Sequence, residues 1–190
     1  MSRSATAARE GGAAHVDRKP FRMPARVRKI VLVLHVISSV GWLGLTTGNL
    51  VLAITGMTTG SPDEQHAAYR VMGILGDLLL IPISLTAFVT GVLLALGTPW
   101  GLFRHRWVVV KFWLTLIAVV LTPLSLLPGI HDAIAAVSNT PADQLADTGG
   151  AGRGLIYAGC VSLSMYTTSV VLSIFKPWNR TAFGKRKPVG

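Results

Sequence analysis

A chain of 190 residues that is 51% hydrophobic is too apolar for an ordinary soluble domain. Its formal net charge of +10 fits that composition only if charged and apolar residues are segregated along the chain, and they are. A single cysteine, Cys160, excludes an intramolecular disulfide framework and any cysteine-based metal cluster; set between Gly159 and Val161, it reads as a small buried packing residue.

Residues 1–28 are rich in Ala, Gly, Ser and Arg, carry no apolar period, and read as a disordered basic cytoplasmic tail. A transmembrane domain is expected over 29–176, with helices at about 30–55, 69–96, 107–127 and 155–175. Each is long enough for a hydrocarbon core of ~30 Å, which takes about 20 helical residues. Residues 177–190 form a second basic cytoplasmic tail, in which the sequon Asn179-Arg180-Thr181 is accidental.

On the first helix, His35, Ser39, Trp42, Thr46 and Asn49 recur at helical spacing and share a face. The first span is too long for a signal-peptide core of about 7–15 residues. Gly44-x-x-x-Gly48 is the small-residue pattern that lets helix backbones approach. The following loop contains Ser61-Pro62-Asp63-Glu64, a capping box with proline at the first helical position. The second helix therefore starts in water near Pro62 and enters the membrane near Tyr69. Along it, Gly73, Asp77, Ser84 and Gly91 fall on one line, which turns Asp77 toward the bundle interior. A carboxylate about eight residues below the outer boundary costs ~2–3 kcal/mol on insertion scales. Asp77 should then be protonated, hydrated, or paired with Arg70 or Arg153. Gly97, Thr98 and Pro99 stop this helix.

The third helix aligns Lys111, Thr115, Ala118, Thr122 and Ser125, and meets Pro123 and Pro128, which should kink its outer half or end it early. Lys111 has two readings: an ammonium that snorkels back to the headgroups, or a buried cation facing His35. In the longest connection, 129–152, Thr140-Pro141-Ala142-Asp143 offers a cap for one short helix, which Gly149 and Gly150 then break. The fourth helix carries Ala158, Ser162, Ser169 and Ser173 on one seam, with Tyr157, Ser164 and Thr168 on the adjoining face. The polar residues expected inside the membrane are His35, Asn49, Asp77, Lys111 and Tyr157, with Asn49 and Tyr157 at the depth to hydrogen-bond Asp77.

The tails and the loop between the second and third helices hold 15 of the 18 lysines and arginines, while five of the 8 acids lie in the other two loops. By the positive-inside rule both termini are cytoplasmic. The fold expected is all-α: an antiparallel bundle of four transmembrane helices whose small or polar stripes turn inward.

The stretch from Thr90 to Leu116, with the earlier "LHVISSVGWLGL", resembles a group of uncharacterised bacterial, mainly actinobacterial, four-helix membrane proteins. These are more distantly similar to the membrane part of copper-resistance protein D. The resemblance rests on His35, Trp42 and Gly44, and on Gly91, Trp100-Gly101, Trp107 and Lys111, and it covers the first three helices. It implies a four-helix membrane fold and no defined activity. No Met-x-x-Met or cysteine-rich motif accompanies it to extend the copper analogy.

No nucleophile–base pair, glycine-rich phosphate loop or metal-ligand cluster stands out, so the chain does not read as an enzyme. It reads as a small polytopic protein of the bacterial inner membrane, an accessory or complex subunit, with no cofactor and no metal. Its partners are the lipid bilayer, with anionic headgroups at both basic tails, and other membrane subunits or a second copy; nucleic acid is not among them. One alternative is a permease for a cation, metal or small solute, with Asp77 in the path and His66 and His131 sharing a soft cation at the outer surface. Another is a b-haem electron carrier using His35, which needs a second histidine at the same depth. His105 lies at the interface and His66 and His131 lie outside, so that partner is missing.

Overall fold

A computed structural model describes residues 23–98, 101–178 and 181 of the chain. The expected tails at 1–22 and 182–190, and the stop at Pro99 with Trp100 beside it, lie outside the described residues. The chain is all-helical, in the order α1 (Ala25–Thr58), α2 (Pro62–Leu75), α3 (Ile81–Gly97), α4 (Arg106–Leu121), α5 (Leu127–Ser138) and α6 (Gly149–Phe175). Helices α2 and α3 run on through a wide π turn, Gly76–Leu80, as do α4 and α5 through Thr122–Leu126. Four continuous rods result, Ala25–Thr58, Pro62–Gly97, Arg106–Ser138 and Gly149–Phe175, each long and apolar enough to cross a membrane. Their outer surfaces are apolar: Ile37, Leu124 and Ile174 are 65%, 72% and 68% exposed, as suits a lipid-facing wall.

Several helix ends differ from the sequence expectation. The first helix already starts at Ala25, so residues 25–28 of the expected tail are helical. At the third rod, Pro123 and Pro128 neither end nor break the helix, which continues to Ser138. A proline ring lacks an N–H and crowds the carbonyl four residues back, and a wider turn relieves both problems. Both π turns close two residues before a proline, Pro82 and Pro128. Thr140 to Asp143 form a turn, closed by the Gln144 N–H on the Pro141 carbonyl at 3.0 Å, rather than a short helix. Gly149 and Gly150 then begin α6 instead of breaking one. The Ser61 cap is as read: its hydroxyl accepts from the Glu64 N–H with Pro62 at the first position. The Glu64 carboxylate turns instead to the Thr59 hydroxyl, which donates to it at 2.6 Å.

The interior is laid down in three storeys. Trp107, Val108 and Leu172 close one end, next to the connection between the second and third rods. Trp42, Ala87 and Ala118 fill the middle, with Trp42 and Tyr166 rings 4.6 Å apart. Tyr69, Met72, Ile130, Ala133 and Val137, none more than 1% exposed, pack the other end. There Tyr69 lies over Gly56, where a Cβ would sit 2.7 Å from the ring. Gly44 and Gly48, expected at a helix contact, meet nothing within 4 Å. Their face of α1 points outward because Ser38, Trp42, Thr46, Asn49, Ala53 and Gly56 form the buried stripe.

Candidate functional site

At the Trp107 end, between the start of α1, the end of α3 and the start of α4, the rods leave an open-mouthed cavity of about 550 Å³. Its walls include Leu32, Phe88, Val92 and Phe112; its polar lining includes Arg28, Lys29, His35, Lys111 and Ser173. The His35 Nδ1–H donates to the Ala87 carbonyl at 3.0 Å and lies 3.1 Å from the Thr90 hydroxyl. A carbonyl can only accept, so the proton is on Nδ1 and a neutral ring keeps Nε2 as an acceptor. Gly91 makes room for this: a Cβ there would stand 3.0 Å from His35 Cε1. Thr90 serves a second purpose, donating its own proton to Thr86 at 2.5 Å and so fixing the hydroxyl beside the imidazole.

Lys111 lines the same cavity and donates to the Ser173 hydroxyl, which passes its proton to the Ser169 carbonyl. The ammonium therefore sits in the cavity with His35 on the facing helix, rather than stretched along the surface. Its stripe runs inward as read through Thr115, Ala118 and Thr122, but Ser125 is exposed.

The other polar residues fall elsewhere. Asp77 does not turn into the bundle: it is 56% exposed, and the His131 Nε2–H donates to its carboxylate at 2.9 Å. Neither Arg70 nor Arg153 is its partner, and neither Asn49 nor Tyr157 reaches it. The π turn at Gly76–Leu80 takes Gly76 and Leu80 to the inside and leaves Asp77 on the outside. Tyr157 is 70% exposed, so it belongs to the outer wall and not to the polar interior. Cys160 is exposed as well, not a buried packing residue. Asn49 is buried as expected, with both amide atoms unpartnered, beside a void of about 20 Å³ shared with Thr46 and Ser162. That is room for about one water with polar partners on several sides. His66 is buried with Nε2 unpartnered, while His131 is engaged with Asp77, so the two histidines have different surroundings. Among the described residues no trio of His, Cys, Asp or Glu is placed to hold a metal ion.

The residue that sequence reasoning missed is Gln65. Its side-chain amide donates to the Gly56 and Ala146 carbonyls, each at 3.1 Å, and its oxygen accepts from the Ala146 N–H at 2.7 Å. One side chain thus ties α1, α2 and the 139–148 connection together. Tyr69 and Thr148, 3.3 Å apart through their hydroxyls, add a second tie. The only signal in the sequence was a glutamine one turn inside a capping box, a position usually solvated.

The described acids gather at one end and most of the described basic residues at the other, Arg70 and Arg153 being the exceptions. Among the described residues, Asp63, Glu64, Asp77, Asp132, Asp143 and Asp147 all lie toward the Gln65 end, whereas Arg26, Arg28, Lys29, Arg104, Arg106 and Lys111 lie toward the cavity end. The first and last described residues also lie there: the Met23 N–H donates to the Gly97 carbonyl at 3.3 Å, and the Thr181 N–H to the Arg104 carbonyl at 2.9 Å.

A family described as "Predicted integral membrane protein (DUF2269)" matches residues 29–177, the four rods with their connections. No curated protein and no solved structure matches the chain.

Proposed function

The chain belongs to DUF2269, a family of predicted integral membrane proteins, and from that premise we propose that it is a non-catalytic accessory subunit of the bacterial plasma membrane, holding a small ligand between its helices. The observation that carries this reading is the cavity of about 550 Å³, within the range of small-molecule sites. It combines apolar walls with a few fixed polar groups, and second-tier bonds orient both His35 and Lys111. Sites that only hold a molecule need this; Lys111 does reach a hydroxyl, on Ser173, but the ammonium donates to it and the hydroxyl proton goes to the Ser169 carbonyl, the reverse of a base drawing a proton from a nucleophile. In this reading the rods form an antiparallel bundle, N-in and C-in, because the basic residues gather at the cavity end. The cavity then opens toward the cytoplasmic leaflet. A path through Asp77 draws no support from a carboxylate on the outer wall, and a haem between two histidines none from a lining with His35 alone.

The test is retention. Protein purified in mild detergent and examined by native mass spectrometry should carry a bound small molecule. Val92→Phe, inside the cavity, should lose it; Val89→Phe, on the exposed side of the same helix, should keep it. A wild-type protein that carries nothing, with a thermal midpoint unchanged by Val92→Phe, would overturn the reading.

A further inference from the structure

We infer that the ligand of this cavity is an anionic amphiphile, a lipid whose head combines a phosphate or carboxylate with a hydroxyl. The inference rests on the cavity being a binding site and adds the class of molecule. Three cationic side chains, Arg28, Lys29 and Lys111, line the space, and among the described residues no carboxylate lines it with them. Every acid among the described residues sits toward the opposite end of the rods. Among the described residues the Lys111 ammonium has one hydrogen-bond partner, the neutral hydroxyl of Ser173. An ammonium taken out of bulk water without a counter-charge is strongly unfavourable, and the described residues supply none. The missing partner is an anion from outside the chain.

The remainder of the lining says what that anion is attached to. Leu32, Phe88, Val92 and Phe112 offer an apolar wall, which suits an acyl chain and not a free inorganic ion. His35 adds a donor requirement, because Nδ1–H is committed to Ala87 and Nε2 is left as an acceptor. A head with an anionic oxygen for Lys111 and a hydroxyl for His35 satisfies both groups at once. Arg28 and Lys29, on the first turns of α1, stand where the head enters from the leaflet surface. Phosphatidylglycerol has this chemistry; a fatty acid has the charge without the hydroxyl; phosphatidylcholine has no net charge.

The experiment is competitive retention, read by native mass spectrometry. The full chain is held in mixed micelles with equal phosphatidylglycerol and phosphatidylcholine, and separately with oleate. Wild type should keep phosphatidylglycerol over phosphatidylcholine by about tenfold or more, the scale of one charge-assisted hydrogen bond. Lys111→Met should reduce that preference to near unity, and Lys111→Arg should keep it. If Lys111→Met does not fold, the paired change Arg28→Gln with Lys29→Gln at the mouth should still lower the preference severalfold. His35→Phe should bring phosphatidylglycerol down to the level of oleate, since it removes the acceptor and leaves the charge. Oleate retained in place of phosphatidylglycerol by wild type would keep the anionic class and remove the hydroxyl. Equal retention of the two phospholipids by wild type, with Val92→Phe losing both, would overturn the anionic ligand and leave the binding site standing. A Soret band in the purified protein would assign the cavity to haem and overturn a lipid.

Discussion

Removing the Gln65 side chain strands the Gly56 carbonyl and both the N–H and the carbonyl of Ala146 in a buried site. Each orphaned group costs about 1–3 kcal/mol, so Gln65→Leu should destabilise the protein by about 2–4 kcal/mol. Asp77→Asn should change stability by less than about 1 kcal/mol, because its pair with His131 is more than half exposed on both sides. Thermal or denaturant unfolding in one detergent compares the two directly, and a larger loss in Asp77→Asn would contradict this account. The order is the reverse of the one suggested by residue type. An aspartate in an apolar run draws attention because hydropathy is read along the chain, and a glutamine among Asp, Glu and His does not. What separates them is the rotation of the helix at that point and the return of a connection some 80 residues later, neither of which is local. His35 and Lys111 were legible as polar positions within four to six residues of a helix end. That they share one cavity depends on Gly91 and Ser173, which residue type alone does not single out.

At the scale of the helix, the π turns explain why rotation was misjudged. One inward line of the second rod runs through Gln65, Tyr69, Met72, Gly76, Leu80, Ser84, Ala87 and Gly91, with His66, Ala68, Gly73 and Thr90 buried beside it. From Met72 to Ser84 they advance by fours, whereas a regular helix advances by 3.6 and needs threes between the fours. The surplus over those three turns is about one residue, and the π turn takes it up. The third rod repeats the pattern, with Lys111, Thr115, Ala118, Thr122, Leu126, Ile130, Ala133 and Val137 facing inward. A deletion tests this. Removing Leu79 from the π turn should leave a regular helix with both halves still facing inward, and a folded, monodisperse protein. Removing Leu85 from α3, similarly exposed, should turn one half of the rod by about 100° against the other and abolish folding. Size-exclusion profiles of the two deletions decide it; equal tolerance would mean that the wide turn carries no surplus residue. The run of fours is present in the sequence, next to prolines 82 and 128, and becomes readable once a proline in a long apolar helix is taken as a sign of a widened turn and not of an end.

For the whole molecule, length and charge together suggest where the membrane lies. Rods of 34, 36 and 33 residues are about 50 Å long, well beyond a hydrocarbon core of ~30 Å. Measured from the basic end, about 20 residues reach Leu45 on α1, Asp77 on the second rod and Leu126 on the third. In the proposed N-in orientation the Asp77–His131 pair falls at the outer boundary, and α2, α5 and the Gln65 ties project beyond it. A charged, membrane-impermeant maleimide on intact cells should label cysteines placed at Arg70 or Asp143 in a Cys160→Ser background, and one at Arg104 only after permeabilisation. Native Cys160, on the exposed lipid-level face of α6, should react only in denaturing detergent. Labelling of position 104 from outside would invert the orientation. Four spans and an all-helical fold were legible from composition alone, because a bilayer demands long apolar helices. The projecting end was legible only in part: the capping box starts α2 in water at Pro62, whereas Pro123 and Pro128 hide the continuation of the third rod to Ser138.

The packing is uneven from end to end: side chains at the Tyr69 end are all but sealed from solvent, and about 550 Å³ is hollow at the other. Compressibility resides where atoms are missing, and the volume change of unfolding follows the voids it eliminates. Hydrostatic pressure therefore acts on this molecule as on a flask with one rigid wall, collapsing or flooding the hollow end while the sealed end holds its shape. A ligand in the cavity would even out that response along the length of the molecule.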